Sequence, residues 1–294
     1  MHFVPHLFGG LEHLSSTALQ FDGRKLVKRK DYLNFLSLVA HEYFHLWNIK
    51  RIRPQELGPF DYTQENYTSM LWLAEGLTSF LDDLFVYRAG LSTLEEYLEI
   101  VKVQLQNYEA IPGRKYHSLE ESSFNAWIKL YRADENFKNS SISYYLKGGL
   151  VFFALHCLLI SKDKSIDDLL DLLWDSYLKK PQIGLTKKNV YDMIQSIGGD
   201  DVLRSFIDMI ETTEEIHFDK IFETIGLKII RENENDDVSK NKVPKSWIGV
   251  DFEYKNDRVF VKQVLLDSPA QRAGINAHDE ILAINGLRFL KSDA

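Results

Sequence analysis

Two histidines four residues apart, His41 and His45, enclose a glutamate in the run His41-Glu42-Tyr43-Phe44-His45. Around them Leu33, Leu36, Val39, Ala40, Phe44 and Trp47 recur at helical spacing, which predicts a helix from Tyr32 to about Lys50, with Pro54 barring any continuation. On a helix the i, i+4 spacing puts both imidazoles on one face, one turn apart, where their nitrogens can meet a single tetrahedral ion. Glu42 lies beside them, in position to take a proton from a water that such an ion activates. A chain with this helix must deliver a third ligand from a second element, and that requirement limits its architecture more than any other feature.

A catalytic zinc site uses three protein ligands and keeps one position open. Glu65 and Glu75 follow His45 by 20 and 30 residues. Glu65 sits in Tyr62-Thr63-Gln64-Glu65-Asn66-Tyr67, a polar stretch with no helical face, and reads as a solvated loop carboxylate. Glu75 sits in Trp72-Leu73-Ala74-Glu75-Gly76-Leu77-Thr78-Ser79-Phe80, inside an apolar helix expected over about 69–89 with Gly90 as its C-terminal signal. A carboxylate buried there needs a cation, so Glu75 is the expected third ligand. Ser79, one turn on, is read either as a partner of that ligand or as a surface or capping serine.

The 294 residues favour about two domains. With 45% hydrophobic residues the chain can build a sizeable core, and a formal net charge of −8 with no basic run makes nucleic acid and anionic membrane poor partners. Cys157, alone in the chain, lies in the apolar run 155–160 and reads as a buried core thiol. No run of 18 apolar residues suggests a membrane span, and the first residues lack the pattern of a signal peptide. The compartment, cytoplasmic or periplasmic, stays open. The run Leu7-Phe8-Gly9-Gly10-Leu11-Glu12-His13 suggests a strand with close backbone approach. Ser92 or Thr93 followed by Glu95 and Glu96 opens a third helix. Residues 112–140 read as irregular. Helical pattern returns over 143–160, 166–177 and 187–197. The polar stretch 231–245 suits a linker. Short β-like runs follow at 248–252 and 259–264, and no internal repeats are evident.

The run from His41 to Pro54, His-Glu-Tyr-Phe-His-Leu-Trp-Asn-Ile-Lys-Arg-Ile-Arg-Pro, resembles the signature of the glycyl aminopeptidase family, PDZ-containing gluzincin metallopeptidases. Trp72–Ser79 resembles the third-ligand helix of that family and of aminopeptidase-N-like enzymes, which implies one zinc ion on His41, His45 and Glu75. Gly9-Gly10-Leu11-Glu12-His13 resembles their Gly-x-Met-Glu-Asn strand. That likeness implies a strand backbone that pairs with substrate through Gly9 and Gly10, and a carboxylate, Glu12, that binds the free N-terminal amine; Leu11 and His13 depart from the pattern. Ser143-Tyr144-Tyr145-Leu146-Lys147-Gly148 resembles their Tyr-x-Lys-Gly motif, which implies that Tyr145, with Tyr144 its rival, hydrogen-bonds the oxyanion. Lys50, Arg51 and Arg53 also match, with structural ion pairing the expected role. Ser246–Val250, Asp267–Gly274 and Asp279–Gly286 resemble PDZ elements, which implies capture of a peptide C-terminus. The resemblance further implies that strands precede Glu12, that the PDZ groove needs a helix after Gly286, and hence that the chain is a piece of a longer protein, weakly active alone.

The sequence thus reads as an α+β gluzincin: a mostly helical catalytic domain over 1–230, a linker over 231–245 and a partial PDZ domain over 246–294. The expected reaction is zinc-dependent hydrolysis that releases an N-terminal residue from a peptide, with glycine or alanine implied by the resemblance. Glu42 is the expected base. Two rivals stand: a non-catalytic peptide-binding scaffold, which leaves the retained Glu42 without a reason, and an endopeptidase, if Glu12 faces away from the site.

Overall fold

The computed structural model describes residues 1–231 and 247–290. It is α+β, a mostly helical N-terminal region followed by small β-sheets. Three strands open the chain: β1 (His2–Phe3), β2 (Phe8–Glu12) and β3 (Thr17–Phe21), in the order β1-β3-β2. β2 and β3 are antiparallel with Glu12 opposite Thr17 and Gly10 opposite Leu19, and β1 runs parallel to β3. The strand that carries Glu12 therefore has a partner along its whole length, supplied by the residues that follow it. The alternation of Thr17-Ala18-Leu19-Gln20-Phe21 was the available signal for β3. Its alternate residues Leu19 and Phe21 turn inward and pack on Leu38, seating the sheet on the first long helix.

That helix, α1 (Arg29–Phe44), ends earlier than its periodicity suggests, and His45 caps it. Beyond His45 the chain turns in tight loops, with Ile49 and Lys50 both donating to the His45 carbonyl. Glu75 lies on a single π-helical turn, Trp72–Gly76, that leads into α2 (Leu77–Arg88). There the Leu77 N–H reaches back five residues to the Trp72 carbonyl. α3 (Leu94–Glu109) starts at a capping box of Thr93 and Glu96, which selects Thr93 over Ser92. The stretch 112–140, expected to be irregular, holds three short α-helices: α4 (Leu119–Phe124), α5 (Ala126–Lys129) and α6 (Phe137–Ser140). The Ser118 and Glu121 capping box was the legible cue for α4.

α7 (Tyr144–Ile160) is apolar almost all round and is the central helix of the lobe, packed on α2, α3 and the π turn. It also meets α9 (Lys187–Glu211) and α10 (Phe218–Glu223); α8 (Ile166–Lys179) packs outside. α9 runs on past the expected end at 197 because Gly199, at φ +83°, turns a corner that another residue would strain at, and helix resumes to Glu211. Cys157 is fully buried in α7, and burial pushes its thiol up to about 12.

The C-terminal segment forms β4 (Val250–Lys255) and β5 (Arg258–Val264), antiparallel with a bulge at Asp251/Phe252, and β5 pairs with β6 (Glu280–Ile281). Apart from Arg231, the expected linker lies outside the described residues. Arg231 bridges Glu109 and Asp219. The segment is held to the helical lobe by α6. The Asn139 amide donates to the Val264 carbonyl at 2.8 Å and accepts from the Leu266 N–H at 2.8 Å, and Lys138 pairs with Asp251 at 2.6 Å.

The π turn and α7 approach so closely at Gly76 and Gly148 that a Cβ on Gly76 would stand 2.8 Å from the Gly148 Cα. Both sides are buried backbone with no flexible end to move. Gly76→Ala is therefore expected to destabilise the protein by about 1–3 kcal/mol through overpacking, read as a lower midpoint in thermal or denaturant unfolding.

Candidate metal centre

α1 presents His41 in its last turn and His45 at its cap, and the π turn presents Glu75 against them. Glu75 Oε2 lies 3.2 Å from His41 Nε2 and 3.2 Å from His45 Nε2. One ligand atom from each of the three lies within 4.8 Å of the others, a group that could hold a metal ion. Glu65 is exposed, in a stretch with neither helix nor strand, and is not among the clustered ligand groups.

The other nitrogen of each ring is already engaged. His41 Nδ1 lies 2.9 Å from Asp82 Oδ2, and His45 Nδ1 lies 2.7 Å from the Asn48 carbonyl. A carbonyl and a carboxylate accept, so each Nδ1 donates, and each Nε2, the nitrogen that faces Glu75, is the one a metal ion would take in place of its proton. The electrostatics agree. Burial lowers His41, but hydrogen bonds to Asp82 and Glu75 outweigh it and push it up to about 10. Burial alone would raise Glu75, yet the two histidines hold it down to about 2. Two buried carboxylates thus demand positive charge at this point, and a dication with neutral imidazoles supplies it. The donor set, two nitrogens and a carboxylate oxygen, fits zinc.

Glu42 points across the same space. It is buried, burial raises its carboxyl against the pull of His41 and His45, and its Oε2 has no hydrogen-bond partner. Glu42, Glu12 and His45 form a second close group, so the structure brings Glu12 to the site. Gly10 lies flush on Glu42: a Cβ there would come within 2.3 Å of its side chain. Gly9, at φ +151°, has open space around it. Tyr145 stacks over His41 with ring centroids 6.3 Å apart. Tyr144, its rival, is buried, 1% exposed, and no ring contact joins it to His41 among the described residues; the hydroxyls of both tyrosines lie 3.4 Å from that of Tyr131. Burial and Glu75 push the Tyr145 phenol far up, so it keeps its proton and can donate.

The cations after His45 divide by role. Lys50 pairs with Glu12 at 2.8 Å. Arg51 and Arg53 instead bind backbone carbonyls, those of Leu14 and Leu46 for Arg51 and those of Gly58 and Gln182 for Arg53. Sequence reasoning missed Asp82 and Asn48, which orient the two rings. Asp82 stands seven residues after Glu75, two helical turns on, and that spacing was the available signal. Ser79 packs on Gly149, and the hydroxyl that joins the site's support is Thr78, which accepts from Asn48.

Residues 34–151 match the family model described as M61 glycyl aminopeptidase, and residues 222–291 match the PDZ domain model. Among solved structures, the chain is similar to the crystal structure of an aminopeptidase N family protein from Idiomarina loihiensis. The two share 29% identity at a TM-score of 0.87, over 99% of this chain and 52% of that one. The chain thus spans about half the length of that relative. No curated protein matches it.

If the metal rests on Glu75, Glu75→Ala will empty the site while Glu65→Ala keeps it filled. Metal analysis of the two purified variants reads the difference directly, and the opposite pattern would reject this ligand set.

Proposed function

We propose that this chain, which carries an M61 glycyl aminopeptidase domain together with a PDZ domain, hydrolyses peptides at their free N-terminus with one zinc ion held by His41, His45 and Glu75. The observation that carries the reading is the convergence of those three ligand atoms beside a buried glutamate oxygen, Glu42 Oε2, that has no hydrogen-bond partner. Zinc supplies Lewis-acid polarisation of the scissile carbonyl and an acidified water. The rest falls to the chain's own residues.

Glu42 accepts the proton of the attacking water and passes it to the leaving amine, and its burial makes it basic enough for that work. Tyr145 donates to the oxygen on which negative charge develops, held at the site by its stack on His41. Glu12 binds the substrate's ammonium. Lys50 occupies its Oε1 and fixes the carboxylate, which leaves the second oxygen for the amine. The backbone at Gly9 and Gly10 lines the substrate strand, and the absence of a side chain at Gly10 lets Glu42 come up against it. The family likeness carries glycine and alanine as residues released. We assign the catalytic domain to 1–230 and the PDZ domain to 246–294, with a peptide C-terminus as the ligand of the PDZ domain. No helix among the described residues is long and apolar enough to cross a membrane.

Hydrolysis of free and N-acetylated peptides of one sequence separates the readings. An aminopeptidase cleaves only the free form, an endopeptidase cleaves both, and a scaffold cleaves neither. Glu42→Gln is expected to retain its metal and lose at least ~10²-fold in kcat, since the amide keeps the shape but cannot take the proton; near-wild-type turnover in the metal-loaded variant would remove Glu42 from the base's role.

A further inference from the structure

The chain from Tyr131 to Tyr145 reaches the metal centre at its ends and the C-terminal β segment at its middle. At the metal centre Tyr145 stacks over His41, and its hydroxyl lies 3.4 Å from that of Tyr131. At the middle, α6 meets β4 and the end of β5. The carbonyl of Val264 and the N–H of Leu266 face the same side, as on the edge of a strand. The one side-chain amide of Asn139 takes both, donating to the carbonyl and accepting from the N–H at 2.8 Å each. Lys138 adds its ion pair with Asp251 at 2.6 Å. Because the Asn139 bonds go to main chain, they fix where α6 sits rather than which rotamer a partner adopts.

From α6 to Tyr145 the chain has little slack. α6 packs on the turn Pro112–Lys115, and a Cβ on Gly113 would collide with the Ser141 backbone, so the two main chains are in contact. Ser141 and Ile142 are buried. The Ser141 N–H donates to the Phe137 carbonyl at 2.8 Å, and the Ile142 carbonyl accepts from Ser122 Oγ. Ser143 then caps α7, its Oγ accepting from the Tyr145 N–H at 3.2 Å. On the other side of α6, residues 131–136 are all exposed, so Tyr131 is placed by the two ends of that stretch, α5 and α6. A displacement of α6 is therefore passed to both tyrosines.

The hydroxyls have an order. Tyr144 donates to Tyr131 at 3.4 Å, which leaves the Tyr131 proton for Tyr145. Tyr145 accepts that bond and keeps its own proton for the substrate oxygen, and a hydroxyl that accepts one hydrogen bond donates the next more strongly. A separation of 3.4 Å is long for two hydroxyls, so a small shift of the segment decides whether the bond is made. We propose that the C-terminal β segment braces the catalytic tyrosine: through Asn139 it holds the chain 131–145 in place, and Tyr131 in turn orients the Tyr145 phenol. Asn139 and Tyr131 act through Tyr145, as positioning residues. The proposal rests on the reading of Tyr145 as donor to the oxyanion.

The test is a pair of double-mutant cycles on the zinc-loaded full chain, with an alanyl amide as substrate and zinc content and unfolding midpoint read on every variant. Tyr145→Phe should lower kcat by about 10²- to 10³-fold. Asn139→Ala and Tyr131→Phe should each lower kcat by about 3- to 10-fold, the worth of one hydrogen bond, with KM unchanged. In the Tyr145→Phe background both effects should vanish, because the group they position is gone. A merely structural role would cost the same factor in both backgrounds, and that result, or single variants with unchanged kcat, overturns the brace. If Asn139→Ala does not fold, Asn139→Asp takes its place, since it keeps the acceptor for Leu266 and loses the donor to Val264. Near-wild-type turnover in Tyr145→Phe removes Tyr145 from the mechanism, a failure of the underlying reading. In that case, or if no amide is cleaved, hydrogen exchange decides the brace: faster exchange of the 141–146 amides in the Asn139 variant supports it, and unchanged exchange ends it.

Discussion

The buried side chain of Asn48 joins the two elements that carry the metal ligands. Its amide donates to the Leu73 carbonyl at 2.8 Å, the Ala74 carbonyl at 3.1 Å and Thr78 Oγ1 at 3.1 Å, all on or beside the turn that bears Glu75. Its own carbonyl receives His45 Nδ1. One residue thus sets the ring of the second histidine and ties the end of α1 to the third-ligand turn. Such a junction works only if α1 stops at Phe44, since a helical Asn48 would keep its carbonyl inside the helix ladder. The early end of the helix and the geometry of the metal centre are one fact. Inside a dry core these bonds are stronger than at a surface, and an unmade one would be costly.

Around that junction, missing side chains set the distances. Gly76 and Gly148 let the π turn and α7 touch backbone to backbone, so Glu75 and Tyr145 are set against each other by main chain rather than by adjustable side chains. Gly10 differs: it leaves room on β2 for a side chain, that of Glu42. Elements distant in sequence thus meet around the metal centre, β2 against the Glu42 side chain of α1 and the π turn against α7, where their glycines allow close approach. The π turn adds a local adjustment: one extra residue in the turn before α2 presents Glu75 to the histidines while Trp72 and Leu73 stay fully buried.

Charge at the centre follows from burial. Asp82 and Glu75 are carboxylates in a poorly hydrated place, and each faces a histidine nitrogen. Asp82 orients one ring from behind, the Asn48 carbonyl orients the other, and Glu75 closes the group from the front. The same arrangement leaves Glu42 with an open oxygen on the substrate side. A centre that demands a cation on one side and offers a base on the other has the parts that the proposed hydrolysis needs.

The sequence by itself determined which residues could form the centre. The i, i+4 spacing of His41 and His45 needs only helical geometry, and Glu75 stood out from Glu65 because an apolar helix and a polar loop treat a carboxylate differently. The amphipathic periods of α1, α3 and α8, and the unbroken apolar run of α7, were likewise legible, because they record local facing toward or away from water. What escaped was set by contacts between distant residues. Asn48 and Asp82 are polar residues on helical patterns until a histidine ring arrives beside them, and Gly148 is an ordinary helix glycine until Gly76 lies on it. β3 lacks the glycine pair that marks β2 and is defined by its pairing with it, and the helices of 112–140 are too short for a period. The motif register favoured Tyr145 over Tyr144, but tertiary structure alone decided that its ring stands over His41 and that Lys50 holds Glu12, since side chains far apart in sequence acquire a common environment only when the backbone between them is folded.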